Sequence, residues 1–208
     1  MATAAPDHDQ SKTAIIVGAS RGLGLGLARE FARRGWQVTA TARNAAAATE
    51  LAGAAAAAGG GIAVEEVDLD RPESVDALAA RLAGRRFGLV FINAGVPGPQ
   101  HQSADIATPQ EVGALMYTNA VAPIRLARRL LPLIADGGTL AFMSSNMGSV
   151  AGNLSGGMEL YRASKAALNS LTRSFVANDV GDRPIAVLTM HPGWVRTAMG
   201  GAVEESVA

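Results

Sequence analysis

Apolar and β-branched residues gather along this chain in short runs. Between them lie longer stretches in which apolar residues return every three to four positions. The short runs are TAIIV (13–17), WQVTATA (36–42), GIAVEEVDL (61–69), LVFINAG (89–95), TLAFMSS (139–145) and PIAVLTMH (184–191). Each has the length and β-branched content of a strand, and several are apolar at consecutive positions, as in strands covered on both faces. The intervening stretches, 22–35, 45–60, 71–84, 108–138 and 161–179, read as helices. Gly35 stops the first, Pro72 opens the third, and the long fourth is expected to bend at Pro123. Strands alternating with helices predict a parallel, doubly wound α/β sheet with helices on both faces. No repeat or domain boundary interrupts the pattern, so residues 13–208 are expected to form one domain, and the polar residues 1–12 a frayed start.

Composition narrows the function classes. Lys+Arg and Asp+Glu are both 18, which gives no electrostatic footprint for nucleic acid. The chain has no cysteine, which excludes a disulfide scaffold and a thiolate nucleophile and is compatible with a cytoplasmic setting. No apolar run approaches the roughly 18 residues that would span a bilayer. His8, His101 and His191 form no metal-ligand pattern, so no metal is expected.

The turn after the first strand, GASRGLG, carries Gly18, Ser20, Arg21, Gly22, Leu23 and Gly24. Glycine there allows a sharp turn and close approach of a ligand. The helix that follows offers N–H groups and a positive dipole end to a pyrophosphate. The same pattern also suits a plain tight turn, but its place after the first strand favours a dinucleotide. At the end of the second strand, where an acid would hold a free ribose 2′-hydroxyl, stand Ala42 and Arg43. With Arg21 nearby, this favours a 2′-phosphate, hence NADP(H) over NAD(H).

A second pattern is Tyr161 and Lys165 in YRASK, one helical turn apart on one face. Phenols titrate near 10, and a neighbouring ammonium is expected to lower that value. Together these motifs resemble the short-chain dehydrogenase/reductase family, in the branch of small carbonyl reductases that includes the C-factor and Sniffer proteins. The resemblance implies a single Rossmann-like domain with strand order 3-2-1-4-5-6-7, the last strand being absent if the sheet has six. It implies a site of Ser145, Tyr161 and Lys165, with Asn119 holding a water beside Lys165. Ser144 is the runner-up for the serine. Asp68 and Leu69 would meet the adenine. Asn93, Ala94 and Gly95 would line the cofactor cleft, and Pro192, Gly193, Val195 and Thr197 would meet the nicotinamide. Val17 departs from the family's threonine and puts one turn hydrogen bond in question. The implied activity is interconversion of a small ketone or aldehyde with its alcohol, by a homodimer or homotetramer. An NADP(H)-binding regulatory protein is the alternative, and a nucleotide-sugar epimerase or dehydratase fits less well. Specificity is expected in residues 96–107, in GNLSGGMEL (152–160) and past residue 197.

Overall fold

In the computed structural model, residues 12–193 and 195 are described. The expected frayed start falls almost entirely outside them, as does Thr197, and a seventh strand would also lie beyond. Six parallel strands form one sheet: β1 (Thr13–Val17), β2 (Gln37–Ala42), β3 (Ile62–Glu66), β4 (Phe87–Ile92), β5 (Ile134–Met143) and β6 (Ala186–Met190). Their order is β3-β2-β1-β4-β5-β6, as expected. Because all run one way, every residue that follows a strand arrives at the same edge of the sheet.

The helices are α1 (Gly22–Arg33), α2 (Thr49–Ala57), α3 (Pro72–Arg81), α4 (Pro109–Met116), α5 (Ala122–Leu130) and α6 (Glu159–Phe175). Neighbouring strand residues feed opposite cores. Ala14 and Ile16 pack with Leu25, Ala28, Leu51 and Ala54 of α1 and α2. Ile15 and Val17 pack in a cluster with Leu126 and Leu130 of α5 and Leu168 and Phe175 of α6. The first layer is rich in alanine and brings α1 close to the sheet. The second is built of large side chains, including an edge-to-face pair of Phe142 and Phe175 with centroids 6.5 Å apart. Each large side chain buried there contributes about 1.5–3 kcal/mol of transfer free energy.

The stretch 108–138 differs from the single bent helix expected of it. α4 opens with a reciprocal cap, in which Thr108 Oγ1 accepts Glu111 N–H at 3.2 Å and Glu111 Oε2 accepts Thr108 N–H at 2.9 Å. The helix then widens into a five-residue turn, Tyr117–Val121, where Ala122 N–H reaches back to Tyr117 O. The distortion therefore begins one turn before Pro123, which lies in the first turn of α5. A proline at 123 supplies no N–H to the carbonyl of Asn119, so the regular ladder cannot run through. The chain also turns to strand earlier than expected, at Ile134 rather than Thr139, because Ile134 pairs with Phe87 across the sheet.

Candidate active site

The glycine turn is held by both neighbouring strands. Gly18 has φ +82°, and a Cβ there would stand 2.8 Å from Ala94 Cα, so only glycine fits. Gly18 O accepts from Asn93 Nδ2 at 2.9 Å. The N–H groups of Asn93 and Ala94 both reach Val17 O at 3.0 Å. The bond put in question by Val17 is supplied from β2: Gly18 N–H reaches Thr41 Oγ1 at 3.3 Å. Gly24, buried in the first turn of α1, packs against Gly18 and the Asn93 amide. Arg21 precedes α1 and no side chain caps that helix, so the N–H groups of Gly22, Leu23 and Gly24 are available to an anion. Ser20 is half-buried in the same turn. Arg21 and Arg43 are exposed and make no ion pair among the described residues. A bare-backbone cradle with two unpaired cations beside it fits a dinucleotide phosphate.

Beyond β3, Leu69 is buried and Asp68 is half-buried. Asp68 Oδ1 accepts Asp70 N–H at 3.1 Å, so this carboxylate shapes its own loop and does not cap α3. At the far end of the sheet, Pro192 and Gly193 are exposed, Gly193 has φ +74°, and Val195 is half-buried.

After β4 the backbone passes close to the predicted catalytic group. A Cβ on Gly95 would stand 3.2 Å from Asn119 Oδ1 and 3.4 Å from Lys165 Nζ. Asn119 is fully buried in the widened turn. Its Oδ1 accepts Val96 N–H at 2.8 Å, and its Nδ2 donates to Val96 O at 2.8 Å and Ser164 Oγ at 3.0 Å. Both amide donors are therefore committed. The side chain braces the loop after β4 against α6.

The two serines after β5 separate clearly. Ser144 is buried, and its Oγ donates to Asn169 Oδ1 at 2.7 Å. Ser145 accepts Met147 N–H at 3.2 Å and donates to Asn146 Oδ1 at 3.4 Å, and its hydroxyl favours the ionised form of the Tyr161 phenol. This geometry favours Ser145 over Ser144. Lys165 is 4 % exposed and donates from Nζ to Met143 O at 2.9 Å. Its Nζ lies 5.7 Å from the centroid of the Tyr161 ring. The pair shares one face of α6, as the spacing predicts.

The expected lowering of the Tyr161 pKa by Lys165 is corrected by burial. Desolvation raises the phenol above its ordinary value, and the nearby Ser145 hydroxyl opposes this only in part. Burial also lowers the Lys165 ammonium to about 8. Both side chains are pushed towards their neutral forms, so the phenol keeps its proton at neutral pH. Sequence reasoning missed three supporting residues: Thr41 on β2, Ser164 between Tyr161 and Lys165, and Gln102 in the loop after β4. Ser164 left a faint signal, being one turn from Tyr161, whose carbonyl it bonds at 2.8 Å. Thr41 and Gln102 left none.

The chain belongs to the short chain dehydrogenase family, whose sequence profile matches residues 12–208. The fold resembles that of a carbonyl reductase from Pseudomonas aeruginosa PAO1 in complex with NADP, with 43% identity, a TM-score of 0.84, and 90% of this chain and 85% of that one covered. It also resembles the carbonyl reductase Sniffer of D. melanogaster, with 33% identity, a TM-score of 0.81, and 92% and 84% covered. A curated relative, 1-hydroxy-2-glutathionyl-2-methyl-3-butene dehydrogenase of Rhodococcus sp. (strain AD45), is 36% identical over 196 residues, 89% of this chain and 78% of that protein. The expected family and its Sniffer-like branch are borne out. Among the described residues, no helix is long and apolar enough to cross a membrane, and no cluster of three His, Cys, Asp or Glu could hold a metal.

Proposed function

We propose that this protein is an NADP(H)-dependent oxidoreductase that interconverts a small ketone or aldehyde with its alcohol. The observation that carries the reading is the meeting of Ser145, Tyr161 and Lys165 at the sheet edge that also holds the glycine turn. The cofactor choice is supported by the unpaired Arg21 and Arg43 and by the NADP held in the P. aeruginosa relative. When bound and reduced, the nicotinamide supplies a hydride to the carbonyl carbon.

The chain supplies the rest. Ser145 donates a hydrogen bond to the carbonyl oxygen as negative charge develops there. Tyr161, kept protonated by burial, gives that oxygen its proton. Lys165 favours the phenolate left behind, because an ammonium close by in a poorly solvated site stabilises the anion. In the oxidative direction the same phenolate takes the alcohol proton. Asn119 keeps the loop after β4 and α6 in register. A homodimer or homotetramer, as the family resemblance implies, in the cytoplasmic setting that a cysteine-free chain is compatible with, completes the reading.

The test is NADPH oxidation against a panel of small ketones and aldehydes, with NADH as control. Tyr161→Phe should lower turnover by about 10²–10⁴-fold and leave NADPH affinity within about twofold. Substantial activity in that variant removes Tyr161 from the chemistry. A preference for NADH overturns the roles of Arg21 and Arg43. Tight NADPH binding with no carbonyl reduced turns the reading into a regulatory one.

A further inference from the structure

The helix that carries Tyr161 has no cap of its own. Met158 precedes α6 with φ +51°, and no side chain caps that end from within the segment. The partner comes from the loop after β4. Gln102 Oε1 accepts Tyr161 N–H at 3.0 Å, and the Gln102 carbonyl accepts Leu160 N–H at 3.4 Å. The other end of the same side chain, Nε2, donates to Pro97 O and Pro99 O, each at 2.7 Å. Glu159 returns the contact, its Oε2 accepting Ala104 N–H at 2.8 Å. Gln102 is buried to 8 % exposure and has φ +54°. Among the described residues, Gln102 and Met158 are the two non-glycine positions with positive φ, and both stand at this junction. A non-glycine residue persists in that region only where its surroundings hold it there.

We propose that Gln102 is a positioning residue for the reaction, an inference that rests on the reading of Tyr161 as the acid. Its amide oxygen sets the first turn of α6 and hence the height of the Tyr161 phenol against Ser145. Its NH₂ group holds the 97–99 backbone, in the loop where specificity is expected, to that same turn. One side chain thus ties the specificity loop to the proton donor. Its two ends are separable by mutation. Gln102→Glu keeps an acceptor for Tyr161 N–H and loses both donors. Gln102→Met keeps the bulk and loses everything polar.

With NADPH and a carbonyl that the wild type reduces, Gln102→Glu should raise KM by about fivefold or more and leave kcat within about twofold, because only the loop is released. Gln102→Met should in addition lower kcat by about tenfold or more, because the phenol moves. NADPH affinity should stay within about twofold in both. A merely structural role would lower the melting temperature of both variants and leave kcat and KM of the folded enzyme unchanged, and that result overturns the proposal. So does a matched loss of kcat in both variants. Amide hydrogen exchange on the wild-type protein decides independently. The Tyr161 N–H should be strongly protected for a third helical position, and exchange at the rate of an open first turn sinks the inference. A wild type that reduces no carbonyl defeats the activity reading alone and leaves the exchange experiment to judge the tie.

Discussion

The glycine turn and the junction around α6 lie at one edge of the same sheet and are built by opposite means. At the turn the chain removes side chains. Gly18, Gly24 and Ala94 approach until their backbones nearly touch, and a ligand would meet N–H groups and a helix dipole. At the junction the chain buries polar side chains. Gln102, Asn119, Ser144, Ser164 and Lys165 are all nearly or wholly removed from solvent. Each must find a partner within the protein, and those partners come from distant segments. The turn is thus tolerant of what surrounds it and intolerant of a Cβ. The junction tolerates no loss of a partner.

Three substitutions test that contrast, beginning with the largest effect. Burial pushes the Lys165 ammonium down from 10.5 to about 8, so keeping it charged in the folded protein at neutral pH costs about 3 kcal/mol. The sign follows from the direction. The folded value lies below the unfolded one, so the unfolded chain binds more protons between about 8 and 10.5. Stability therefore rises with pH through that window. Lys165→Met removes this cost and also the bond to Met143 O, worth about 1 kcal/mol. It should be about 2 kcal/mol more stable than the wild type at pH 7.5. By pH 9.5 that advantage should shrink by about 2 kcal/mol, read by urea unfolding at both values, while carbonyl reduction is lost. A gap that does not change with pH breaks the view of the junction as stability given up for function.

Gly18→Ala should cost about 1–3 kcal/mol through its φ of +82° and its clash with Ala94, and should weaken NADPH binding in a fluorescence titration. Lost stability with full NADPH affinity would separate the turn from the ligand. Gly53→Ala, on the exposed face of α2 with nothing within 4 Å, should instead stabilise by about 0.5–1 kcal/mol and leave NADPH affinity unchanged. A loss there would mean that open glycines matter as much as crowded ones.

The same contrast explains how much was legible beforehand. The turn is one contiguous segment whose chemistry is local, so GASRGLG announced it. Tyr161 and Lys165 were legible because helical spacing alone places them on one face. The electrostatic consequence was not legible. Burial depends on what packs around α6, and burial reversed the expected direction for the phenol. Asn119 was recognised by position, but its partners Val96 and Ser164 appear only when the widened turn docks against α6. The break in 108–138 was misplaced for a similar reason. LPLIADGG continues an apolar helical pattern, yet pairing of Ile134 with Phe87 draws it into the sheet.

By itself the sequence determined the alternation of strands and helices, the glycine turn and the identity of the tyrosine and lysine, because these follow from short-range periodicity and backbone freedom, while the sheet order was implied by the family resemblance. Tertiary structure alone decided that Ser144 is buried against Asn169, that burial pushes the phenol and the ammonium towards their neutral forms, and that Gln102 holds Tyr161 from 59 residues away. Those outcomes depend on desolvation and on hydrogen bonds between segments far apart in the chain, and neither is written in any local stretch of residues.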